Sequence, residues 1–160
     1  MKPVKTIILA LALCLAMASS GLSASTINWT TLEAAQDSVK NGDKLVYLHF
    51  YTDWCGYCKK MDASTFKDPK VVKYLNDNFL SVRLNPEKSD AAKKMASKFY
   101  VRGFPANGFS NDGLAPLSTN SGLAISPGFM PPEQFMVMLE YLGSKSYDKI
   151  TLKDFMSQRK

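Results

Sequence analysis

The run Leu45-Val46-Tyr47-Leu48-His49-Phe50-Tyr51 is almost unbroken in hydrophobicity and rich in β-favouring side chains. That pattern predicts a central strand covered on both faces, because neither face has to meet water. The segments around it read differently. Asn28 and Trp29 suggest a short first strand. Thr31 caps a helix running to about Lys40, which Asn41-Gly42 ends. After Thr52-Asp53-Trp54 a helix begins around Cys55. Asp68-Pro69 opens another, with Val71, Val72, Leu75 and Phe79 at helical spacing. Leu80 to Leu84 reads as a strand, and Ser89 caps a helix through Phe99. Val101 starts a short extended piece, and Phe109 lies on a further strand. Asn111-Asp112-Gly113 signals a turn, so Leu114 to Ile125 is expected to hold the partner strand. Pro131-Pro132 opens a helix with Phe135, Met138, Leu139 and Leu142 on its apolar face, ending at Gly143. A short helix from Thr151 to Gln158 follows. After the first helix the order is β-α-α-β-α-β-β-α, an α/β layout with a central mixed sheet flanked by helices.

The N-terminus follows a different logic. Lys2 and Lys5 precede the apolar run Ile7 to Met17, which is of signal-peptide length and too short to span a membrane. Ala16-Met17-Ala18 has the small-x-small shape for cleavage before Ser19, and a second cut lies after Ala24. Residues 1–24 are therefore expected to be a signal peptide, the alternative being an uncleaved anchor. The 160-residue chain has a length that suits one core, and 46% hydrophobic with 21% charged residues is an ordinary globular composition. The formal charge of +6 shrinks once Lys2 and Lys5 are removed, leaving 18 Lys and Arg against 14 Asp and Glu, a net of +4. No basic cluster is interleaved with aromatics, so nucleic acid is not an expected partner.

Removal of the signal would take Cys14 with it and leave two of the three cysteines, Cys55 and Cys58. An isolated C-x-x-C in an oxidising compartment points to a redox pair rather than a staple, since so short a loop constrains little of the unfolded chain. Cysteines three apart at a helix start share one face, with about 5–6 Å between Cβ atoms, close enough to bridge. In the first turn, free N–H groups and the helix dipole favour a thiolate on Cys55, while Cys58 sits deeper. Cys55 is then the attacking sulfur and Cys58 the resolving one. Trp54 and Tyr57 flank the pair with apolar surface, around Gly56. A zinc site is the competing reading, but two cysteines and one histidine fall short of four ligands, so no metal and no cofactor are expected.

Thr52-Asp53-Trp54-Cys55-Gly56-Tyr57-Cys58-Lys59 resembles the active site of the thioredoxin superfamily. The resemblance extends over roughly residues 26 to 144: Arg83-Leu84-Asn85 ends the next strand, Val101-Arg102-Gly103-Phe104-Pro105 follows a helix, and Gly128 precedes the last main helix. It implies a thioredoxin-like fold over residues 25–144, with one extra helix after the active-site helix and a helical tail over 145–160. It also implies that Pro105 is cis and faces the dithiol. A cis X-Pro bond makes a tight turn and removes an N–H, leaving the Phe104 backbone free to pair with an extended substrate. The extra helix is familiar in exported thioredoxin-like domains, and the tail resembles that of periplasmic thioredoxins of sulfur-oxidation systems.

Three departures from the family pattern stand out. His49, the sole histidine, occupies the place of a buried acid six positions before the first cysteine. It reads either as a proton relay for Cys58 responding near neutral pH, or as a core histidine satisfied by a backbone carbonyl. Arg83 stands where the family carries a lysine, either biasing charge toward the thiolate or lying solvated at a strand end. Asn107-Gly108 falls where the strand is usually apolar, which suggests a bulge or a close backbone approach.

The resemblance implies an exported, periplasmic thiol–disulfide oxidoreductase acting on client protein disulfides. The Gly56-Tyr57 pair is shared with periplasmic disulfide isomerases, which carry a dimerisation domain for which this chain has no room. Strong oxidases insert a helical subdomain where Met61 to Phe79 is too short for one. A monomeric reductase fed by a membrane thiol transporter is expected, with an isomerase or oxidase, or a non-catalytic client-binding module, as alternatives.

Overall fold

The computed structural model describes residues 26–40 and 44–159. The expected signal peptide, Cys14 and the helix stop at Asn41-Gly42 lie outside the described residues. Seven strands and six helices follow in order: β1 (Trp29–Thr30), α1 (Leu32–Val39), β2 (Leu45–Phe50), α2 (Gly56–Ala63), α3 (Pro69–Asn78), β3 (Phe79–Leu84), α4 (Asp90–Lys98), β4 (Ala106–Ser110), β5 (Ser118–Thr119), β6 (Gly122–Leu123), β7 (Ile125–Pro127), α5 (Pro132–Gly143) and α6 (Leu152–Ser157). The main sheet has the order β1-β3-β2-β4-β7, parallel on one side of β2 and antiparallel on the other.

β2 is the middle strand, and all six of its residues are buried. Alternation of side chains splits the core in two. Val46, Leu48 and Phe50 pack with Leu32 and Ala35 of α1 and with Ala92, Met95 and Phe99 of the α4 region. Tyr47 points into the other cluster, with Met61 of α2, Val72 and Leu75 of α3, and Phe135, Leu139 and Leu142 of α5. The two caps read from the sequence do cap, Thr31 accepting from Ala34 N–H and Ser89 from Ala92 N–H, and at the other predicted starts Asp68 accepts from the N–H groups of Lys70 and Val71 and Thr151 from Asp154 N–H.

One expectation changes. The ladder partner of β4 is Ile125–Pro127, mostly beyond the predicted Leu114–Ile125 stretch. Asn111-Asp112-Gly113 does turn, with Gly113 at φ +71, but the Asp112 carboxylate accepts from Leu114 N–H and the chain then leaves the sheet. It builds the separate β5–β6 ribbon before returning. The chain turns after α4 with Tyr100 in the left-handed region at φ 54, and Val101 follows that turn. The tail from Ser144 is fastened to the domain, because Tyr141 donates to the Ile150 carbonyl at 2.8 Å and Tyr147 is buried.

Candidate active site

The chain leaves the C-terminal end of β2 through Tyr51-Thr52-Asp53-Trp54 and enters α2 at Cys55, which is the N-cap. Its backbone is extended, and its sulfur accepts the Cys58 N–H at 3.0 Å. Cys55 is thus one residue ahead of the first turn in which the sequence suggested it. That placement brings the sulfur onto the unsatisfied N–H groups of the helix start, where negative charge is favoured. Cys55 and Cys58 are joined by a disulfide with Cα atoms 5.3 Å apart. The pair is recessed: Cys55 is 4% exposed and Cys58 1%.

Around the recess the surface is aromatic. Trp54 is 67% exposed and Tyr57 63%. The Trp54 indole N–H donates to the Glu87 carboxylate at 2.9 Å, and its ring meets Phe104 edge-on, centroids 6.2 Å apart. Asp53 pairs with Lys88 at 2.6 Å, and Glu87 N–H donates to Asn85 Oδ1 at 2.9 Å. The loop after β3 is in this way clipped to the loop before α2. On the other side Tyr57 lies 6.4 Å from Phe129, whose ring carries the Lys60 ammonium 4.7 Å from its centroid. Phe104–Pro105 is cis, as the resemblance implied, and the Pro105 carbonyl accepts the Gly128 N–H at 2.7 Å. Gly128 has φ +85, a conformation that disfavours any side chain, and it delivers Phe129 to the site. Sequence reasoning missed Glu87, Lys88 and Phe129; each depends on a loop meeting a loop, for which a single sequence carries no local signal.

His49 lies beneath this surface, fully buried, on the same face of β2 as Tyr47. Asn107 Oδ1 accepts from Tyr47 Oη at 2.8 Å, and His49 Nδ1 lies 3.4 Å from both of those oxygens. Phe66 packs edge-on against the imidazole at 4.9 Å, and Tyr51 stacks parallel to it. Burial pushes the His49 pKa down to about 3, the Arg83 guanidinium lowers it further, and the Asn107 hydrogen bond raises it. His49 is therefore neutral at physiological pH, which corrects the expected response near neutrality. Its polar neighbours are side chains, not the backbone carbonyl expected in the alternative reading, and Nε2 is buried without a partner.

Arg83 is half-buried and paired. It donates to Asp62 of α2 at 3.0 Å and lies between the Tyr51 and Trp29 rings, 4.4 and 5.3 Å from their centroids. The unusual Asn107-Gly108 pair also finds its cause. β2 and β4 pair in continuous register without a bulge, and a Cβ on Gly108 would meet the Phe99 ring at 2.6 Å. Gly108 is the close approach, and Asn107 supplies the polar acceptor on the opposite face. Among the described residues no group of three or more His, Cys, Asp and Glu is placed to hold a metal ion.

A helix-capping disulfide after the middle strand of a mixed sheet of this order, together with a cis-proline just before the neighbouring strand β4, defines a thioredoxin-like protein. The thioredoxin-like domain family matches over residues 32–143, and the chain belongs to it. Residues of this chain are 40% identical over 78 positions to the thiol:disulfide interchange protein DsbD of Photorhabdus laumondii, covering 49% of this chain and 13% of that protein. The DsbD of Pseudomonas fluorescens is 32% identical over 76 positions, 47% of this chain and 13% of that one. The chain thus spans about an eighth of the length of these relatives. A thioredoxin from Thermus thermophilus superposes with a TM-score of 0.62 at 19% identity, over 75% of this chain and 89% of that one. A thioredoxin-fold protein from Helicobacter pylori gives 0.60 at 18%, over 72% and 84%.

Proposed function

We propose that this protein, a thiol–disulfide oxidoreductase, is exported and reduces disulfides of client proteins in the periplasm. The observation that carries this reading is the Cys55–Cys58 disulfide at the N-terminus of α2, with the Cys58 N–H on the Cys55 sulfur at 3.0 Å. In the reduced protein the same N–H and the helix dipole stabilise a Cys55 thiolate. The thiolate attacks one sulfur of a client disulfide, forming a mixed disulfide and releasing the other client sulfur as a thiolate, which takes up a proton. Cys58, deprotonated, then attacks Cys55, closing the Cys55–Cys58 disulfide and releasing the second client thiol. Two electrons pass to the client. Phe104 and Pro105 line the approach of the client backbone, and Trp54 and Tyr57 cover its flanks.

Export is supported by the signal-like N-terminal sequence, and thiol–disulfide exchange by the interchange activity in the names of the DsbD relatives, which gives no direction. An oxidising compartment requires an outside source of electrons, for which a membrane thiol transporter is the fitting donor. The deciding experiment is equilibration with glutathione. A reduction potential around −270 mV supports the reductase, and one around −120 mV overturns that direction in favour of an oxidase. In the same protein Cys58→Ser is expected to accumulate mixed disulfides with clients and Cys55→Ser to lose turnover; a Cys58→Ser variant that traps nothing contradicts the exchange mechanism.

A further inference from the structure

Beside the Trp54–Phe104 contact a groove of about 350 Å³ opens between α4 and the turn that leads to the cis-proline. Phe104 forms its near end, Ala96 and Val101 line it, Pro86 and Tyr100 stand at its walls, and Lys93 and Arg102 supply its charges. No carboxylate lines it, and among the described residues neither cation is paired with one. Lys93 and Arg102 are both exposed, as is Tyr100 at 63%. The carboxylates beside the dithiol are already committed: Asp53 holds Lys88, and Glu87 holds the Trp54 indole. Asp62 is held by Arg83. Lys94 and Lys98 lie on the same helix as Lys93 and are exposed as well. The groove accordingly combines apolar lining with two positive charges, and Phe104 joins it to the Trp54 ring beside the disulfide.

We infer that this groove takes an acidic segment of the client polypeptide, adjoining the client cysteine, and so selects clients by charge. The inference rests on the exchange reading of Cys55 and Cys58 and deepens it. An extended client whose sulfur lies over Cys55 and whose backbone follows Phe104 continues into the slot. Aspartate or glutamate side chains there meet Lys93 and Arg102, while the aliphatic stem of the client residue covers Ala96 and Val101. Complementary charge at such a rim acts chiefly on the rate of encounter, and salt screens it within about 8–10 Å.

The test uses the reduced full chain and three cyclic peptides, each closed by a single disulfide and flanked by three glutamates, three lysines or three serines. Chromatography of the opened peptide gives the second-order rate for each. At low ionic strength the glutamate peptide is expected to react about tenfold faster than the lysine peptide, the ratio falling toward one at 1 M salt. K93E/R102E should bring the low-salt ratio to one or below, and the charge-conserving K93R/R102K should retain it. Equal rates at low salt, or a ratio that survives charge reversal, overturn the groove assignment while leaving the exchange reading intact. Failure to open even the serine peptide overturns the exchange reading, and the groove assignment with it.

Discussion

Asn107 on β4 stands directly opposite His49 on β2 in the antiparallel register, and its carbonyl oxygen also takes the Tyr47 hydroxyl at 2.8 Å. Its amide group donates to the Gly128 carbonyl at 3.3 Å, so one side chain ties the central strand to the loop that delivers Phe129.

Replacing Asn107 by alanine removes the acceptor from a buried phenol and a buried imidazole together. An unsatisfied buried donor costs about 1–3 kcal/mol, so Asn107→Ala should lower the unfolding free energy by at least about 2 kcal/mol. Urea denaturation measures it. A loss within experimental scatter of zero would show that the network contributes nothing.

His49 makes acid stability a test of its environment. The unfolded imidazole takes a proton below about pH 6.5, whereas the folded one stays neutral down to about 3. Between these values the unfolded state binds more protons, so stability rises with pH. The contribution is fully present above pH 6.5 and is lost as pH falls toward 3, on the order of 1 kcal/mol per pH unit. Comparing urea unfolding at pH 7 and pH 4.5, His49→Gln should lose less stability on acidification than the wild type. Parallel pH profiles for the two proteins would contradict the burial argument.

Gly108 faces the Phe99 ring so closely that a methyl group has no room. Gly108→Ala should therefore cost about 1–3 kcal/mol through displaced packing. Phe99→Leu in the same chain should recover part of that loss, and a double mutant no more stable than expected from adding the single effects would assign the cost elsewhere.

Much of this architecture could be read from one sequence, for local reasons. The unbroken run around Tyr47 can only be a strand with both faces covered, and Thr31, Asp68, Ser89 and Thr151 announce helix starts through chemistry that needs no distant partner. The W-C-G-Y-C segment and Pro105 were legible because their spacing matches a family. What escaped was whatever depends on which surfaces meet. Asn107-Gly108 looks anomalous until Phe99 and Tyr47 are known to press on its two faces. The Asn111-Asp112-Gly113 turn resembles a hairpin locally, yet the strand it was expected to introduce pairs only from Ile125 onward. His49 promised a pH response from its intrinsic chemistry, and burial under elements such as the Phe66 segment, with Arg83 of β3 beside it, suppresses that response.

The depth of the disulfide has a consequence for who can react with it. With both sulfurs sunk below a ridge of indole, phenol and phenyl rings, two blunt globular surfaces cannot bring their cysteines together. A productive visitor must thread a slender, locally unfolded stretch, or a protruding tip, down to the sulfur. On the exchange reading proposed above, the domain is in this sense a keyhole that would sort its traffic by the shape of the approaching chain before any electron moves.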